Sequence, residues 1–124
     1  MSRGLISCLY AFLVSVFLAG TALAGEVKIE AVDAIQNDGL WRFSVTLRHD
    51  DTGWDHYADL WQVVTPDGDI LGERVLAHPH VNEQPFTRSL GGVRIPDDIS
   101  KVIIRARDTV HGFAEETFEV TLMR

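Results

Sequence analysis

Five histidines are the residues of this chain best suited to do chemistry: His49, His56, His78, His80 and His111. A neutral imidazole offers a lone pair to a transition metal, and a neighbouring carboxylate can ligate beside it or orient the ring. His78-Pro79-His80 turns two rings to the same side if that segment is extended. No single segment reproduces His-Glu-x-x-His, so a shared site must be assembled from separate parts of the chain. Other chemistries find less support. The serines Ser44, Ser89 and Ser100 lie outside any Gly-x-Ser-x-Gly. Asp50-Asp51 with Asp55 lacks the spacing of a calcium loop and reads as a solvated acidic stretch. Gly91-Gly92 is not followed by Lys-Ser/Thr, so it is no phosphate cradle.

The N-terminal segment restricts what can position these groups. Arg3, an apolar run from Leu5 to Leu18 and Ala22-Leu23-Ala24 together read as a cleavable export signal over residues 1–24. The single cysteine, Cys8, leaves with it, so residues 25–124 have no disulfide and no thiolate ligand. Such a domain must be held by its hydrophobic core alone. No remaining apolar stretch is long enough to span a bilayer. The formal charge is −7, and loss of Arg3, the one charged residue of the signal, makes it −8. That balance argues against nucleic acid and anionic membrane surfaces as partners.

The mature stretch reads as seven short strands with turn chemistry between them. They fall at about Glu26–Ile35, Leu40–Arg48, Tyr57–Thr65, Ile70–Leu76, Phe86–Ile95, Lys101–Asp108 and Glu115–Met123. Trp41, Phe43, Val45 and Leu47 alternate with polar residues, as do Val102, Ile104 and Ala106. Phe118, Val120 and Leu122 should likewise face inward. Asn37-Asp38-Gly39, Pro66-Asp67-Gly68 and Pro96-Asp97-Asp98 mark tight turns, and Gly91-Gly92 a bulge or bend. The expectation is an all-β, seven-stranded antiparallel sandwich, immunoglobulin-like or fibronectin type III-like in strand count and rhythm.

Topology then supplies a site. If successive connections alternate between the two ends, the tight turns share one pole and the longer polar loops the other. Every histidine lies in those longer loops. His49 continues the inward face of Leu47, and Asp108 continues that of Ala106, so both should stand at the mouth of the core. Asp59 should lie near the same end. The ligand candidates are His49, His78, His80 and His111, with His56 secondary to them and Asp59 and Asp108 as ligands or orienters. These groups suit zinc or copper(II), and the scarcity of sulfur ligands argues against copper(I). The competing explanation is structural: histidine-carboxylate pairs can simply satisfy loop backbone groups. Arg88, Arg105 and Arg107 should form a basic outer face paired with Glu115, Glu116 or Glu119.

The runs Gly53-Trp54-Asp55-His56-Tyr57-Ala58-Asp59 and His78-Pro79-His80-Val81-Asn82-Glu83-Gln84-Pro85-Phe86 resemble parts of small uncharacterised exported bacterial proteins. The likeness implies export and carries no activity.

The functional expectation is a periplasmic or secreted, monomeric, non-catalytic binding domain with a divalent metal at its histidine pole. The alternative is a protein-interaction module that presents Trp54 and the same loops, the histidines being structural. Hydrolysis at a metal would need a general base, for which Glu83 is the carboxylate of the His78/His80 loop.

Overall fold

The computed structural model describes residues 25–124, so the export signal expected over 1–24 lies outside the described residues. The strands are β1 (Lys28–Asn37), β2 (Leu40–Arg48), β3 (Ala58–Val64), β4 (Ile70–Val75), β5 (Phe86–Val93), β6 (Lys101–Asp108), β7 (Gly112–Phe113) and β8 (Phe118–Thr121). They form two antiparallel sheets, one ordered β1-β2-β5, the other β4-β3-β6-β7 with β8 also paired to β6. Among the described residues, no helix is long and apolar enough to cross a membrane.

The turn residues act as their chemistry requires. Asn37 pairs with Leu40, and both intervening residues have positive φ, 54° at Asp38 and 80° at Gly39. That is a type I′ hairpin, whose twist matches the flanking strands. Gly92, at φ 67°, sits where the β2/β5 register shifts between the Trp41 and Phe43 pairings, the bulge expected at Gly91-Gly92.

The inward alternation holds. Trp41, Phe43, Val45 and Leu47 are buried from one sheet against Trp61, Val63, Val102, Ile104 and Ala106 of the other. Each large apolar side chain so buried contributes about 1.5–3 kcal/mol. Strand β3 could not be assigned a face from its residues because it is covered on both. Its outer face lies beneath long polar side chains. Gln62 donates to Glu73 at 2.7 Å and accepts from Arg105 Nε at 2.8 Å.

Two expectations need correction. The seventh strand is split, because Phe113 pairs with Arg107 while Phe118 pairs with Ile104. The chain opposite β6 carries two extra residues between those pairings, and they loop out. The outer arginines also choose other partners. Arg105 lies over the Phe113 ring at 4.4 Å, Arg107 binds Asp59, Arg88 lies 3.4 Å from Glu83, and Glu119 meets Lys101 at 3.3 Å.

Candidate metal centre

Three connections converge above the core: residues 49–57 between β2 and β3, 76–85 between β4 and β5, and 109–111 between β6 and β7. Two side chains bind the first two loops together. Asp51 is buried, and its Oδ1 accepts from His49 Nδ1 at 2.6 Å and from the Ala58 N–H at 3.0 Å. Its Oδ2 accepts from the His80 N–H at 2.8 Å. Gln84 receives the His49 N–H at 3.0 Å and donates to the His80 carbonyl at 2.9 Å. The third loop is tied in by Thr109. Its N–H donates to the Tyr57 carbonyl at 3.0 Å, and its hydroxyl accepts from the Tyr57 N–H at 3.2 Å.

Within this frame His49, His56 and Asp108 converge, each offering a ligand atom within 4.8 Å of the others. His49 and Asp108 are buried at the ends of β2 and β6, as their alternation requires. His56 closes a turn in which its N–H donates to the Gly53 carbonyl and its own carbonyl accepts from the Thr52 N–H. The His49 and His56 ring centroids are 4.8 Å apart. His49 Nε2 stands 3.8 Å from Asp108 Oδ2, and His56 Nε2 3.2 Å from Asp108 Oδ1.

The electrostatics favour an anionic Asp108. Burial is the largest influence and pushes its carboxyl up. It is outweighed by the His111 and Val110 N–H groups, which donate to Oδ1 at 2.8 and 2.9 Å, and by the His111 ring, so the carboxyl sits below its ordinary value. On His49 the Nδ1–H donates to Asp51, and Nε2, on the side of the cluster, lies 3.1 Å from the Gly25 carbonyl oxygen and 3.8 Å from Asp108 Oδ2. A carboxylate that fixes the far nitrogen of an imidazole is the arrangement that orients metal-ligating histidines. His56 Nε2 is buried and, although 3.2 Å from Asp108 Oδ1, makes no well-aligned hydrogen bond. Such an atom calls for an explanation, and a bound ion supplies one.

His111 flanks this group. Its ring centroid is 5.1 Å from that of His56, and its Nδ1 lies 3.1 Å from Asp108 Oδ1. His78 and His80 form a separate pair with ring centroids 4.6 Å apart. His80 is stacked on Phe86 at 3.9 Å, and Arg88 Nη2 donates to its Nε2 at 2.8 Å. Burial first, then the nearby Arg88 cation, lowers the His80 pKa and keeps the ring neutral. The expected ligand set therefore divides: His49, His56 and Asp108 meet, His111 adjoins, and His78 and His80 do not join. Asp59 is outside the group as well. Arg107 clamps its carboxylate at 2.9 and 3.2 Å. Glu83 is exposed and ion-paired with Arg88, away from the converging ligands.

Asp51 and Gln84 were not legible as site residues. A signal for Asp51 did exist. The inward alternation that reaches His49 arrives next at Asp51, which is no solvated acidic residue. Gln84 gave none. Trp54, on the turn beside His56, is 68% exposed and meets the Tyr57 ring edge-on at 5.6 Å.

No family model matches the chain. Over 78 residues it is 47% identical to a protein of Halomicrobium mukohataei named "Putative lipoprotein". That match covers 63% of this chain but only 38% of the relative, so the chain spans well under half of that protein's length. A crystal structure of a hypothetical protein from Pyrococcus horikoshii superposes with a TM-score of 0.55 at 12% identity, over 82% of this chain and 93% of that one. The second likeness concerns the fold alone.

Proposed function

We propose that this is an exported, non-catalytic binding domain that holds one divalent transition metal, zinc or copper(II), on His49, His56 and Asp108. The observation that carries this reading is the convergence of ligand atoms of His49, His56 and Asp108 within 4.8 Å of one another, with the buried His56 Nε2 making no well-aligned hydrogen bond. Imidazole and carboxylate donors on a rigid frame suit both metals. Export is supported by the N-terminal segment and by a relative named as a lipoprotein. Calorimetric titration with zinc and with copper(II) tests the reading. One equivalent should bind, and His56→Gln should weaken it at least tenfold while the fold, followed by circular dichroism, is retained. Equal binding by both proteins contradicts it.

The exposed Trp54 favours a second reading, an interaction surface on the same loops. Trp54→Ala should leave stability within about 0.5 kcal/mol of the parent, since little apolar area is lost. Under this reading the substitution abolishes capture of a protein partner, and metals have no effect on the domain.

A further inference from the structure

Gly25, the first residue after the expected export signal, is seated against the histidine cluster. Its carbonyl oxygen lies 3.1 Å from His49 Nε2. Its φ is +94°, and a Cβ built there would come within 3.0 Å of His111 Cε1 and 3.2 Å of His111 Nε2. A left-handed backbone pressed against a ring strongly favours glycine. Gly25 also lines, with His49 and His56, an open cleft of about 260 Å³ at this pole. The Gly25 nitrogen is one bond from its Cα, roughly 1.5 Å, so it is confined to the same neighbourhood.

Resting on the metal reading above, we propose that cleavage after Ala24 creates a further ligand of the site, the α-amine of Gly25, and that the completed site selects copper(II). Before cleavage that nitrogen belongs to a peptide bond and has no basic lone pair to offer. After cleavage it is a primary amine whose lone pair is available to a cation. His111 donates through Nδ1–H to Asp108, which leaves its Nε2 facing Gly25. An amine beside imidazoles and one carboxylate is a nitrogen-rich set of the kind copper(II) takes in tetragonal geometry, and copper(II) heads the affinity order of the divalent metals. Metal loading is thereby coupled to export, because the precursor lacks one donor.

The test uses residues 25–124 behind an N-terminal tag that a protease removes to leave Gly25 first. Copper(II) affinity is measured by chelator competition before and after removal, with electron paramagnetic resonance to count nitrogen ligands. Tag removal should raise the affinity tenfold or more and add one coordinated nitrogen, and His56→Gln should forfeit at least tenfold of the affinity of the cleaved form. Equal affinities before and after, both weakened by His56→Gln, overturn the amine assignment and leave the metal site standing. A gain on cleavage that His56→Gln does not reduce also overturns it, since any free amino terminus chelates copper(II) in that way. Absence of copper(II) binding in both forms overturns the amine assignment and the metal reading together.

Discussion

Asp51→Ala should lower the melting temperature by roughly 15 °C or more, the largest effect of any single loop substitution in this domain. Asp51 accepts three hydrogen bonds in a fully buried setting: from His49 Nδ1, from the Ala58 N–H and from the His80 N–H. Its removal strands two buried backbone donors and one buried imidazole N–H. Each stranded donor costs about 1–3 kcal/mol, and three are stranded together. These overlap, so a total of about 4 kcal/mol is expected, against the 5–15 kcal/mol available to a domain of this size. At about 4 °C or more per kcal/mol this gives the stated shift. Asp51→Asn keeps the shape and an acceptor oxygen, and should recover part of the loss. It should still weaken metal binding by about 10–100-fold, because a neutral amide orients the His49 ring less firmly. Thermal denaturation and metal titration of the two variants separate the structural part of Asp51 from its effect on the ligand.

Metal should produce the second large effect. At a free zinc or copper(II) concentration 100 times the dissociation constant, linkage adds about 2.7 kcal/mol, or on the order of 10 °C. Ligating imidazoles must be unprotonated, so this gain should fade as pH falls below about 6.5 and be nearly absent by about pH 5. The metal-free protein has its own slope in that range, with the same sign. His80 has a lowered pKa in the folded state, so below about pH 6.5 the unfolded chain takes up a proton that the native protein refuses. The stability His80 contributes is therefore present above that pH and is lost as pH falls through its folded pKa. Asp108 acts lower. Its depressed carboxyl contributes stability above about pH 4 that is lost as pH falls through its folded pKa. The quantity to follow is the difference between metal-loaded and metal-free melting temperatures at each pH. A difference that persists unchanged at pH 5 would argue against imidazole ligands.

The frame of this molecule was legible because period-two alternation is local. Trp41 through Leu47, and Val102 through Ala106, carry their own facing, and that facing extends outward to His49 and Asp108. The pole followed from counting connections. Finer partner choice was not legible, because it depends on distances across sheets. Arg107 sits beside Asp59 through the β3/β6 register, which withdraws Asp59 from the histidines. His80 is drawn to Phe86 and Arg88 on its own side of the loop and so parts from His49. The split of the last strand leaves no mark in the sequence, because Gly112-Phe113 is too short to show a period.

One cation should sit among His49, His56 and Asp108. Anomalous diffraction from crystals of the mature domain grown with zinc, collected on both sides of its absorption edge, locates such an ion. A single strong peak is expected, bonded to His49 Nε2, His56 Nε2 and an Asp108 oxygen at about 2.0–2.2 Å. A peak on His78 and His80 instead, or none at the pole in zinc-saturated crystals, would contradict it.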